Sequence, residues 1–196
     1  MQSRIALPLR YGLKEQHKGW QLLPAQQAAV RWARVDDYQA LLDLECGEGK
    51  LLQYYLNHFS VRACGMTRNP GECHDSLPST AEIMRAAQHD IPWRNNSFDV
   101  VFFTRFNQRQ QHNDLLFEEV NRVLKPGAQF IITLPGSLFI KRLAHLSTGS
   151  LAMRSPDNPF SLMETLNRHG FVDVSVRSSR CRHTTVIAHK HENTSN

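Results

Sequence analysis

Asp43, Glu45, Gly47 and Gly49 fall within seven residues, where the apolar run Ala40-Leu41-Leu42-Asp43-Leu44 gives way to Glu45-Cys46-Gly47-Glu48-Gly49-Lys50. A buried strand that ends in a glycine-punctuated turn and opens a helix is how a Rossmann-like sheet holds a nucleotide or nucleoside, because the turn offers backbone N–H groups and the positive end of the helix. Glu45 is the anomaly: the commonest form of this turn has glycine there, and glutamate adds bulk and negative charge. Two other phosphate-binding patterns fit less well. The third glycine of G-x-G-x-x-G counted from Gly47 falls on Leu52, and a P-loop ending at Gly49-Lys50 needs glycine at Leu44 and a hydroxyl at Leu51.

The elements that must position this turn follow from periodicity. Strands alternate with helices along the chain, the pattern of an α/β protein with a mostly parallel sheet covered on both faces. Helices are predicted over 24–35, 49–58, 113–124 and 158–169, and strands over 40–45, 61–66, 82–87, 98–103, 129–134, 171–177 and 184–188. The last two strands read as a hairpin, and Lys125-Pro126-Gly127 reads as a helix stop. Glu118 and Glu119 read as the solvated face of an amphipathic helix, and Asp99 as a residue that fixes the start of the fourth strand.

Three segments carry a resemblance. They are Leu41-Leu42-Asp43-Leu44-Glu45-Cys46-Gly47-Glu48-Gly49, then Asp90-Ile91-Pro92-Trp93-Arg94-Asn95-Asn96-Ser97-Phe98-Asp99-Val100-Val101, then Phe117-Glu118-Glu119-Val120-Asn121-Arg122-Val123-Leu124-Lys125-Pro126-Gly127. In this order, and with Leu166-Asn167-Arg168-His169-Gly170-Phe171 near the end, the chain resembles the class I S-adenosylmethionine-dependent methyltransferases of the small-molecule, type 11 kind over about residues 24–190. The resemblance implies a Rossmann-like, seven-stranded sheet with an antiparallel last strand, S-adenosylmethionine as cofactor and a small-molecule acceptor. It also implies a domain at 24–190, an N-terminal lid or arm at 1–23 and a disordered tail at 191–196.

In the same resemblance Gly47 and Gly49 lie close to the methionine and ribose parts of the cofactor, and Asp43 orients the turn or reaches the amino group. The ribose carboxylate belongs at the end of the second strand, but that strand closes as Met66-Thr67-Arg68 with no acid before Glu72. The adenine-binding acid or amide falls at Ala87, with Gln88, His89 and Asp90 beside it as substitutes. Thr104, at the head of the loop Thr104-Arg105-Phe106-Asn107-Gln108-Arg109, completes the cofactor-side set, and the Arg and amide groups of that loop suit a polar or anionic acceptor. His112 is a candidate base, although a lone loop histidine is commonly solvated.

These departures support a second reading. Two lost hydrogen bonds to a charged group, about 1.5–3 kcal/mol each, would weaken binding roughly a hundred-fold to ten-thousand-fold. A catalytically inactive relative that has lost the cofactor and works as a binding or regulatory module, with a protein partner, is therefore the alternative to an active enzyme.

Composition narrows the classes further. The chain of 196 residues is 41% hydrophobic and 21% charged, enough for one ordinary core. No apolar run approaches the ~18 residues of a membrane span and the first residues lack a signal peptide's apolar segment, so the expectation is a cytoplasmic protein with no membrane partner. The formal charge of +5 is scattered without a basic stripe and no NPPY-like motif follows the fourth strand, which disfavours nucleic acid as a partner. Cys46, Cys64, Cys73 and Cys181 form no CxxC pair and none has histidine at zinc-ligand spacing, so free thiols are expected and no metal.

Overall fold

The computed structural model describes residues 21–73, 75, 77–106, 113–135, 159–178 and 183–192. Most of the expected N-terminal arm, the loop residues 107–112 with His112, the stretch 136–158, Cys181 and the tail 193–196 lie outside the described residues.

In chain order the elements are α1 (Pro24–Trp32), β1 (Ala40–Leu44), α2 (Lys50–His58), β2 (Arg62–Thr67), a single 3-10 turn (Pro70–Glu72), β3 (Glu82–Arg85), β4 (Phe98–Phe103), α3 (Asn113–Val123), β5 (Leu124–Pro135), α4 (Pro159–Arg168), β6 (Phe171–Ser178) and β7 (His183–Lys190). The strands form one sheet in the order β3-β2-β1-β4-β5-β7-β6. The first five run parallel, while β7 lies between β5 and β6 and is antiparallel to both. This is the expected seven-stranded Rossmann-like α/β sheet. Chain order reverses between β1 and β4, so a crevice opens at the carboxyl ends of these two strands.

Side chains on the central strands alternate between two apolar layers, as a period of two requires. Leu41, Val100, Phe102 and Ile131 pack with Ala29 of α1 and Leu51, Leu52 and Tyr55 of α2. Leu42, Leu44, Val101, Phe103, Phe130 and Ile132 pack with Phe117 and Val120 of α3 and Leu162 and Leu166 of α4. Burial on both faces explains why these strands read as continuous apolar runs. Asp99 fixes the start of β4 as expected: its Oδ2 accepts from the Ala40 N–H at 2.9 Å and from Lys125 Nζ at 2.7 Å, tying β4 to β1 and β5.

Two expectations need correction. Strand β5 begins at Leu124, directly after α3, where the sequence suggests Gln129. Leu124 pairs with Phe98, the ladder shifts register between Phe98 and Val100, and Gly127 takes φ +74, so Lys125-Pro126-Gly127 is an irregularity within the strand. Glu119 is also no simple solvated residue. Its carboxylate accepts from the Ile91 N–H at 2.9 Å and from Arg122 at 2.6 and 2.8 Å, and Arg122 donates further to the carbonyls of Ile91 and Trp93 and to Asn95 Oδ1.

This cluster pins the segment between β3 and β4 onto α3. Arg122→Met keeps the aliphatic length but strands Glu119 and two carbonyls, and is expected to lower stability by about 2–3 kcal/mol. Urea denaturation measures it. A loss under half a kilocalorie would mean that water replaces the guanidinium without cost.

Candidate functional site

The β1–α2 turn lies at the switch between β1 and β4. Glu45, Gly47 and Gly49 all adopt left-handed backbone, with φ of +60, +53 and +82, and Gly49 is the residue from which α2 starts. The turn is tied to β2 by the Cys46 N–H, which donates to the Met66 carbonyl at 2.8 Å, and the Gly49 N–H closes it by donating to the Cys46 carbonyl at 3.0 Å. Glycine bears such a φ freely, whereas a residue with a Cβ is disfavoured by roughly 1–2 kcal/mol. Glu45 is held there by its own side chain: Oε1 accepts a short hydrogen bond from Gln88 Nε2 and lies 3.8 Å from an Arg68 nitrogen.

The glycines answer to the protein itself as well as to any ligand. A Cβ on Gly47 would approach the Arg105 guanidinium at 3.2 Å, and one on Gly49 would meet Leu77 at 2.9 Å.

Two hollows flank the turn. The first is lined by Glu45, Met66, Thr67, Arg68, Ala86 and Gln88, at the carboxyl ends of β2 and β3. The second is lined by Leu23, Gln26, Cys46, Gly47, Glu48, Lys50 and Arg105. Thr67 Oγ1 closes a turn with Asn69, accepting its N–H at 3.2 Å and facing its carbonyl at 3.3 Å. Glu48 and Lys50 pair at 3.0 Å on the rim of the second hollow.

Asp43 lies beneath the turn, on β1, with no solvent exposure. Neither carboxylate oxygen has a hydrogen-bond partner among the described residues. Burial drives its carboxyl up to about 8, the Arg105 guanidinium works against that rise, and the Glu45 charge adds to it. A buried carboxyl with both oxygens unmet and raised to about 8 stands out among the described residues. Burial also raises Glu45, opposed by Arg68, Arg105 and the Gln88 hydrogen bond. Cys46, Cys64 and Cys73 are free thiols, all raised by burial, and Cys73 donates to the Gly47 carbonyl at 3.3 Å.

Glu45, Met66, Thr67 and Gln88 therefore meet around the first hollow, Gly47 borders the second, and Asp43 lies below. The four remaining expected residues line neither hollow: Gly49 caps the start of α2, His89 and Asp90 are exposed, and Thr104 is buried with its carbonyl accepting from Thr133 Oγ1 at 3.0 Å. Among the candidates at the end of β3, Gln88 is the one that reaches inward, where spacing had favoured Ala87. Arg68, Ala86, Gln26 and Lys50 escaped the sequence reading. Arg68 could have been found as the first residue past β2, a position that faces the crevice in any sheet of this kind. Among the described residues no group of three or more His, Cys, Asp or Glu side chains could hold a metal, and no helix is long and apolar enough to cross a membrane.

Residues 42–132 match the family model described as a methyltransferase domain. Malonyl-[acyl-carrier protein] O-methyltransferase of Hahella chejuensis is 31% identical over 110 residues, covering 54% of this chain and 39% of that protein. The chain's matches span between 25% and 40% of the length of the curated relatives. Among solved structures, phosphoethanolamine N-methyltransferase 2 of Haemonchus contortus, in complex with S-adenosylhomocysteine, superposes with TM-score 0.65 at 17% identity over 85% of this chain and 52% of that one. A chain solved in complex with the Haloferax volcanii Trm112 methyltransferase activator gives TM-score 0.65 at 14% identity, over 86% of this chain and 90% of that one. At these identities the two structures establish the fold.

Proposed function

We propose that the chain, whose residues 42–132 match the model of a methyltransferase domain, is a class I S-adenosylmethionine-dependent methyltransferase that binds its cofactor across the carboxyl ends of β1, β2 and β3 and methylates a small polar or anionic acceptor. The observation that carries this reading is Asp43. A wholly buried carboxyl with two unpartnered oxygens is costly to keep unless a ligand completes it, and an ammonium group is its natural complement.

The bound cofactor would supply an electrophilic methyl group on a sulfonium. The chain's part is to hold and align. Asp43 would take the cofactor's ammonium, the backbone of Gly47 would pass close to its amino-acid portion, and the hollow of Met66, Thr67, Ala86 and Gln88 would take the nucleoside, with Gln88 offering an amide to the base. Arg105, on the second hollow where Lys50 is paired with Glu48, gives that side a cation that suits an acceptor bearing negative charge. Alignment of two reactants in one crevice supplies much of a displacement's rate without a dedicated base.

Isothermal titration with S-adenosylmethionine and S-adenosylhomocysteine tests the reading. Micromolar affinity is expected. Asp43 holds a proton below about 8 and must release it to pair with an ammonium, so affinity should strengthen about tenfold per pH unit from 6 toward 8 and then level. Titrations at pH 7 in buffers of different ionisation enthalpy should report nearly one proton released per cofactor bound. Absence of binding up to millimolar ligand would overturn the reading.

A further inference from the structure

We propose that Glu45 supplies the carboxylate that binds the ribose hydroxyls of the cofactor, from the β1–α2 turn instead of from the end of β2. This inference rests on the cofactor reading above.

A ribose presents two vicinal hydroxyl donors, and a carboxylate, with two acceptor oxygens, is the side chain that accepts both. Strand β2 ends without one, and the only hydroxyl there, Thr67 Oγ1, is committed to the turn at Asn69. The Glu45 carboxyl lies in the hollow bounded by Met66, Thr67 and Arg68, so it reaches the place that the β2 sequence leaves without an acid. The other carboxylates around the turn are ruled out by position. Asp43 lies beneath the turn, where the reading above gives it the ammonium, Glu48 is paired with Lys50 at 3.0 Å, and Glu72 and Asp90 are exposed and line neither hollow.

Two further features point the same way. Glu45 keeps a left-handed backbone that glycine would adopt without strain, and strained residues persist where the strained group has work to do. Its side chain is also positioned from two directions. Gln88 and Arg68 both engage Oε1, from the ends of β3 and β2, so the carboxylate is preorganised at the wall of the hollow.

The test is calorimetric binding of S-adenosylhomocysteine and of its 2′-deoxy analogue to the wild type, Glu45→Gln, Glu45→Gly and Glu45→Gly/Thr67→Asp, with melting curves for each. The wild type should prefer the ribose form by tenfold or more. Glu45→Gln should bind it at least tenfold more weakly and discriminate little between the two ligands. Glu45→Gly should melt no lower than the wild type, because the strain is gone, yet lose affinity, and adding Thr67→Asp should restore it. If Glu45→Gly binds as tightly as the wild type, or more tightly, Glu45 obstructs the site and the proposal fails while the cofactor reading stands. If no protein in the series binds, the cofactor reading itself falls and takes this one with it.

Discussion

Replacing Asp43 by asparagine should make the unliganded protein more stable at alkaline pH and, in the same stroke, destroy its affinity for the cofactor. The carboxyl is wholly buried without a hydrogen-bond partner, and burial lifts it from the ordinary 3.8 to about 8. The native state therefore keeps a proton that the unfolded chain releases, and native stability declines as pH rises from about 4 to about 8. Above that point the full penalty is present, on the order of 5 kcal/mol. Asparagine is nearly isosteric with the neutral acid, so the two proteins should nearly match at pH 4 and part at pH 8.5. Denaturant titrations at the two pH values measure this, and parallel profiles would mean that Asp43 is already ionised in the native state, compensated by Arg105. Loss of the carboxylate should weaken S-adenosylhomocysteine binding by a hundred-fold or more, since an ammonium would then face a buried amide.

The second large effect is expected at Gly65, in the middle of β2. A Cβ built there would lie 2.7 Å from Leu52 Cδ1, 2.8 Å from Cys46 Sγ and 2.8 Å from Ile83 Cδ1. These three atoms end side chains of α2, the β1–α2 turn and β3, so an added methyl forces all three to repack at the wall of the site. Gly65→Ala should cost about 1–3 kcal/mol, and Gly65→Val more. Gly71→Ala is the control, because a Cβ there meets only Asn69 Oδ1 at an ordinary 3.4 Å. Thermal melts of the three variants decide the matter. Equal melting of Gly65→Ala and Gly71→Ala would show that α2 can rise off the sheet freely.

What sequence can reveal about this molecule depended on the range of the forces involved. Strand β4 is legible residue for residue, Phe98–Phe103, because burial on both faces demands an unbroken apolar run. The start of β5 was not, because Lys125-Pro126-Gly127 has the composition of a turn and only pairing with Phe98 across the sheet makes it part of a strand. At the site, the turn and Asp43 were visible as a local pattern. The direction of the Glu45 side chain was not, since it depends on a φ of +60 and on partners 23 and 43 residues away in Arg68 and Gln88. His89 and Asp90 were named for their position in sequence beside Ala87, and of these four consecutive residues Gln88 lines the hollow while His89 and Asp90 are exposed.

The place of β7 in the sheet bears on how the protein is made. Strand β5 carries Phe130, Ile132 and Leu134 in the core, and among the described residues its edge away from β4 pairs with His183–His189 of β7. During synthesis that edge is complete only after some fifty more residues have left the ribosome, so the nascent chain carries an apolar, unpaired strand for seconds at ordinary elongation rates. Such an edge is a template for pairing with other chains. The cell's means of shielding it, whether by chaperone or by the chain's own later segments, then governs yield as much as the stability of the finished fold.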